Sequence, residues 1–76
     1  MDHRQALNET LSQFDLKAAA IAEAAGIDAG RLSKFRNGHH DLRSSALQQI
    51  INALPEKARA YYYLLLMSNG HKIPSN

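Results

Sequence analysis

Residues 18–37 read Ala18-Ala19-Ala20-Ile21-Ala22-Glu23-Ala24-Ala25-Gly26-Ile27-Asp28-Ala29-Gly30-Arg31-Leu32-Ser33-Lys34-Phe35-Arg36-Asn37, and the layout of the chain follows from them. Lys17 to Ala25 is rich in alanine, with Ile21 its one β-branched residue, so helix propensity is high. Gly26 is the expected stop, since glycine reaches left-handed backbone angles without strain. Asp28 is a good N-cap for a short helix from Ala29 to about Arg36, which Asn37-Gly38 ends. Two helices meeting across so tight a turn approach closely, which calls for a small side chain at Ala22. Leu32 and Phe35 hold the second helix by its back. Its front is then Ala29, Gly30, Arg31, Ser33, Lys34 and Asn37, which are small, polar or basic.

Working outward, Asp2 with Gln5 is a capping-box spacing, and Leu7, Leu11 and Phe14 share one face of a first helix over about residues 3 to 14. An apolar stripe of Leu16, Ala20, Ile21, Ala24 and Ala25 follows on the second helix. On the other side, His39 to Arg43 reads as a polar loop anchored by Leu42. Ser45 with Gln48 is a further possible capping box, and Leu47, Ile50, Ile51 and Leu54 form an i, i+3, i+4, i+7 stripe. Pro55 suits the first position of a fifth helix, with Glu56 near its positive end. That helix should reach about Ser68 and stop at Asn69-Gly70. No period-2 alternation and no internal repeat is visible. The expectation is an all-α, compact five-helix domain over residues 1–70, with a flexible tail over 71–76.

The length of 76 residues admits one small domain. With 45% apolar and 21% charged residues, the composition is globular. The absence of cysteine excludes disulfides, thiolate metal sites and a cysteine nucleophile. The longest wholly apolar run, Tyr61 to Met67, is too short to cross a bilayer, and Met1-Asp2-His3-Arg4 carries no apolar signal segment. The expected setting is cytoplasmic, with no membrane association.

The net charge of +2 hides an asymmetry. Between Ala29 and Arg43 lie Arg31, Lys34, Arg36 and Arg43 against Asp41 alone, a balance of +3 that leaves −1 for the rest of the chain. Such a patch is an electrostatic footprint for a polyanion. If roughly four phosphates are neutralised, affinity should fall about a hundredfold between about 50 and 200 mM salt. Taken alone, the same charges are equally readable as a solvated face.

The run from Leu16 to Asp28, followed by Leu32-Ser33-Lys34-Phe35-Arg36-Asn37-Gly38, resembles the helix-turn-helix of the lambda-repressor and Cro-like DNA-binding family. The similarity extends over the five-helix layout, from about residue 5 to 66. The small residue four before a glycine is weak alone. Joined to Ile27, a capping Asp28, Leu-Ser-x-Phe and the terminal Asn-Gly, it is strong. The resemblance implies that the third helix enters the major groove of double-stranded DNA. It places Ala29, Gly30 and Lys34 where bases are commonly read. Arg31 and Ser33 fall where phosphates or bases are met, and Asn37 resembles the family's phosphate-binding asparagine. His39, His40 and Arg43 lie in the loop that touches backbone or an adjacent base. It further implies a bacterial or phage-encoded, nucleoid-associated transcriptional regulator, acting as a repressor on a palindromic operator.

Two departures stand out. Where the family has a Ser or Thr cap followed by a phosphate-gripping Gln, this chain has Lys17 and Ala18. Lysine accepts no hydrogen bond, so Asp15 is the expected substitute cap, while Lys17 can still meet a phosphate as a point charge. Ala29 and Gly30 cannot bond a base in bidentate fashion, although the Ala29 methyl can meet a thymine methyl. Specificity should then rest on Arg31 and Lys34, which suit guanine O6 and N7 at about 1–3 kcal/mol of discrimination each.

The other polar residues have simpler readings. His39 and His40 are adjacent, and His3 and His71 lie near opposite termini, so no metal site is expected. Ser33, Ser44 and Ser45 lack a nucleophile context, and Ser44 and Ser45 read as caps. Glu9, Glu23 and Glu56 read as helix-surface residues. No catalytic residue, cofactor or enzymatic activity is expected.

Tyr61-Tyr62-Tyr63-Leu64-Leu65-Leu66-Met67 covers every side of a helix of which one small domain can bury one face. Tyr62, Leu65 and Leu66 are the expected inward side. The outer side, Tyr61, Tyr63, Leu64 and Met67, reads as the interface of a homodimer, or else as tyrosines that snorkel to water. A dimer of this family sets two recognition helices about one DNA turn apart. The rival from another class is a protein-interaction module such as an antitoxin, with the fifth helix binding the partner and DNA contact secondary. A loosely specific DNA-coating protein is a further alternative.

Overall fold

A computed structural model describes residues 2–69, with the side chain of Asn69 left out. The expected stop at Gly70 and the tail from His71 to Asn76 lie outside the described residues. Five helices follow one another: α1 (His3–Gln13), α2 (Ala18–Ala25), α3 (Ala29–Arg36), α4 (Ser44–Ala53) and α5 (Glu56–Asn69). No strand occurs among the described residues, and no helix there is long and apolar enough to cross a membrane.

The first three helices end the same way. The Leu16 N–H bonds the Leu11 carbonyl at 2.8 Å and the Asp15 N–H that of Ser12 at 3.2 Å. Ile27 and Gly26 repeat the pair on Ala22 and Glu23, and His39 and Gly38 repeat it on Lys34 and Phe35. Each is the double closure of a Schellman turn, which needs one residue in the left-handed region. Those residues are Asp15, Gly26 and Gly38, at φ 53°, 74° and 82°.

Asp15 is therefore spent on ending α1 and does not cap α2. The residue ahead of α2 is Lys17, extended and with no side-chain cap bond. Asp2 and Asp28 do cap, accepting from the N–H groups of Gln5 at 2.8 Å and Arg31 at 3.1 Å. Ser44 and Ser45 do not. Both are already helical, and Arg43, extended at φ −67°, ψ 155°, precedes α4 without a side-chain cap bond. A hydroxyl caps only from the extended residue at the boundary. Gln48 instead donates to Asn52 Oδ1 at 3.1 Å. Pro55 falls one residue short of the helical position expected of it; α5 starts at Glu56, and the Pro55 carbonyl accepts from the Arg59 N–H at 2.8 Å.

The helices enclose one core of Ala6, Leu7, Leu11, Ile21, Ala22, Leu32, Phe35, Ile50, Ile51, Leu54, Ala58 and Tyr62. Full burial of a residue such as Leu7, Leu32, Ile50 or Leu54 contributes about 1.5–3 kcal/mol. α1 packs on α5 and α3, and α2 packs on α3 and α4. On α2 the buried face is Ile21 and Ala22 with Ala18 and Ala25 beside them, while Ala20 and Ala24 are exposed. The stripe read through Ala20 and Ala24 is thus rotated, because alanines are too alike to mark a face and Ile21 alone sets it. Ala22 is fully buried, as the close approach of α2 requires. The one buried polar residue described, Thr10, donates its hydroxyl to the Ala6 carbonyl at 2.7 Å, which removes its need for water.

Candidate nucleic-acid interface

α3 is held from behind and left open in front. Leu32 and Phe35 are buried, and the positions opposite them on the helical wheel are Gly30, Ser33, Lys34 and Asn37. Ala29 and Arg31 flank that front, and all six residues are exposed. Gly30 has a local reason to lack a side chain: a Cβ there would meet Asp28 Oδ2 at 3.0 Å and press on the carboxylate that caps the helix.

Two shallow clefts border the exposed side of α3. One is lined by Asp28, Gly30, Arg31, Lys34 and His40. The other is lined by Gly26, Ile27, Asp28, Arg31, Arg43, Ala46 and Gln49. Asp28 and Arg31 line both, with Lys34 and His40 completing one cleft and Arg43 the other. Lys17, Ser33, Asn37 and His39 are exposed and line neither cleft. Gln49, an exposed amide on the same surface as the two arginines, has no mark in the sequence, because only the packing of α4 on α2 turns it there.

The charges of the segment divide in a way its total conceals. Arg36 is half-buried and donates from Nε to Asn8 Oδ1 at 2.7 Å, so it faces α1 and leaves the patch. Asp41, the segment's acid, pairs with Arg4 at 3.2 Å, the one salt bridge among the described residues. Arg31, Lys34 and Arg43 remain as exposed cations with no carboxylate partner in that set. A solvated cation held near a fixed helix costs little to bring to a phosphate, because no ion pair has to be broken first.

The carboxyl end of α3 is fully accounted for. Ser33 and Lys34 carbonyls accept from the N–H groups of Asn37 and His39. The Phe35 carbonyl accepts from Gly38 and from Arg4 Nε, and that of Arg36 from Asn8 Nδ2 at 3.2 Å. Arg4 and Asn8, one turn apart on α1, thus finish α3 from another helix. Neither was legible as a site residue: their spacing places them on one face of α1 and says nothing of what docks there.

Among the described residues no group of three His, Cys, Asp or Glu could hold a metal ion. His3 bonds the Tyr62 hydroxyl through Nδ1, and His71 lies outside the described residues. On α5, Tyr62 is fully buried and Leu65 and Leu66 pack against the core. These three are the inward side expected of α5. Tyr61 is half-buried and meets Phe14 edge-on, with ring centroids 5.6 Å apart. Tyr63, Leu64 and Met67 are 42%, 61% and 71% exposed. Comparison of the chain with protein-family models, curated proteins and solved structures gives no match.

Proposed function

We propose that this chain is a sequence-specific double-stranded DNA-binding protein of the lambda-repressor-like class, with α2 and α3 as its helix-turn-helix. In this reading it acts as a transcriptional regulator, a repressor that occludes a promoter. The observation that carries the reading is the asymmetry of α3. Its back and its carboxyl end are fixed by Leu32, Phe35, Arg4 and Asn8, while Arg31 and Lys34 on its exposed side, and Arg43 just ahead of α4, have no carboxylate partner among the described residues. A helix fits the major groove, which is about 12 Å wide. The small Ala29 and Gly30 let its first turn approach the bases. Arg31 and Lys34 then read guanine edges, and Lys17, Ser33, Asn37, His39, His40 and Arg43 serve phosphates around them. No catalytic residue, metal or cofactor enters this function.

The test is selection from a pool of randomised duplex DNA at about 150 mM salt. The expected product is an inverted repeat with half-sites about one helical turn apart. Arg31→Ala and Lys34→Ala should each cost about 1–3 kcal/mol and relax one base preference. An unenriched pool overturns specific recognition by this chain.

A second reading rests on the exposure of Tyr63, Leu64 and Met67 along α5. There the chain is a protein-interaction module of the antitoxin kind, whose α5 binds another protein. Under that reading Arg31→Ala with Lys34→Ala leaves partner binding intact.

A further inference from the structure

Arg4 lies on α1, outside the basic face, and ties together two segments that border it. Its Nε donates to the Phe35 carbonyl in the last turn of α3. A terminal nitrogen donates to the His40 carbonyl at 3.3 Å and to Asp41 Oδ1 at 3.2 Å. The guanidinium carbon stands 4.9 Å from the centroid of the Phe35 ring, which fixes the plane of the fork against a buried aromatic. Among the described residues these are the only hydrogen bonds at His40 and Asp41. The start of the loop is closed onto α3 by Gly38 and His39, and Leu42 anchors its end. Between those points Arg4 supplies the side-chain hydrogen bonds that tie residues 40 and 41 to the end of α3.

We propose that Arg4 is a positioning residue for the basic face. It holds the loop bearing His40 and Arg43 in register with Gly30, Arg31 and Lys34, so that the surface has one shape before a polyanion arrives. A planar fork serves the α3 carbonyl and the residue-40 backbone from two separate nitrogens, whereas the three N–H groups of a lysine radiate from one point and cannot copy that separation. Preorganisation of this kind lowers the ordering cost of binding without adding a contact. The assignment rests on the DNA-binding reading above.

A comparison of two arginines tests it. Arg59 also spans several carbonyls, those of Ile51, Asn52 and Leu54 at 3.3, 3.4 and 3.1 Å, but it finishes α4 and, unlike Arg4 with His40, bonds no residue that lines either cleft. Wild type, Arg4→Lys and Arg59→Lys are compared per folded molecule by titration of the duplex that the wild type selects, over a range of salt. Backbone amide shifts of residues 39–43 are recorded on the free proteins. Arg4→Lys keeps the charge, so a loss cannot come from removing a cation. It is expected to bind about tenfold more weakly at an unchanged log–log salt slope, since the phosphate contacts are kept and only their ordering cost rises, and to move the loop amides. Arg59→Lys is expected to lose stability alone.

Should Arg4→Lys not fold, Arg4→Gln is compared with Arg59→Gln, so that both variants lose one cation and the affinity and loop shifts are read as the difference between them. An Arg4 variant that matches its Arg59 counterpart in affinity and loop shifts overturns the proposal. A wild type that retains no duplex overturns the DNA-binding reading and this assignment with it. The two failures are distinct because the wild type is measured first.

Discussion

Nδ1 of His3, in the first turn of α1, shares a hydrogen bond with the hydroxyl of Tyr62, fifty-nine positions later in the middle of α5. The Tyr62 ring is fully buried, so this bond satisfies a polar atom at the edge of the core while the ring fills the core itself. Tyr62→Phe removes the hydroxyl and leaves His3 to water, and should cost about 1 kcal/mol. Tyr62→Ala opens a cavity and should cost about 3–5 kcal/mol, a large share of the total stability of so small a domain. Urea unfolding with a common slope checks both.

The same tyrosine makes stability depend on alkaline pH. Burial, and then the neighbouring Tyr63, push its pKa up from 10.0 to about 12. The folded state holds that proton more tightly than the unfolded chain. Its contribution is therefore complete below pH 10 and is lost as pH rises through about 12. The stability difference between wild type and Tyr62→Phe should shrink across this window, and a constant difference would contradict the assignment.

Asp15 and Gly26 occupy equivalent left-handed positions, and exchanging their character should have opposite effects. At Gly26 a Cβ meets nothing within 4 Å, so Gly26→Ala suffers only backbone strain, about 1–2 kcal/mol. Asp15→Gly relieves such strain and should raise stability by about 0.5–1 kcal/mol. Thermal unfolding of the two variants settles the pair; a destabilised Asp15→Gly would mean the carboxylate has another task.

Gly30 and Asp28 should be coupled. Alanine inside a helix is favoured over glycine by about 1 kcal/mol, but a methyl at residue 30 crowds the capping carboxylate. Asp28→Ala alone should cost about 1 kcal/mol. Gly30→Ala should then stabilise the Asp28→Ala background and do little for the wild type. A double-mutant cycle that is additive within about 0.3–0.5 kcal/mol would show that the cap does not feel the methyl.

Leu64 and Met67 are exposed, so Leu64→Glu and Met67→Glu should leave the fold unchanged. If α5 forms the expected homodimer, sedimentation equilibrium finds a dimer for the wild type and a monomer for each variant. Affinity for an inverted repeat then falls toward that for a half-site. A wild type that stays monomeric at high concentration removes the homodimer and favours a different partner for this face.

Legibility followed the range of the interaction. Asp2 and Asp28 were readable as caps because donor and acceptor lie three positions apart. Asp15 departs from the expected capping role because left-handed closure and N-capping suit the same residue type; with only four residues between α1 and α2, the closure takes it first. Ser45 does not cap because α4 begins at Ser44, two residues earlier than its hydroxyl needs.

The sequence alone determined the five helices, the left-handed positions at Gly26 and Gly38, and the inward faces set by large side chains such as Leu32, Phe35, Ile50 and Ile51. These depend on backbone sterics and on a period of 3.6 residues, both local. Only the tertiary structure decided that Arg36 turns to Asn8, that Arg4 joins the end of α3 to the loop at His40, and that His3 reaches Tyr62. Those bonds span twenty-eight to fifty-nine positions and exist only once the helices have docked at their particular angles. A cation in a sequence is only a charge; the neighbours that docking supplies determine whether it finishes a helix, as Arg4 does, or stays exposed, as Arg31 does.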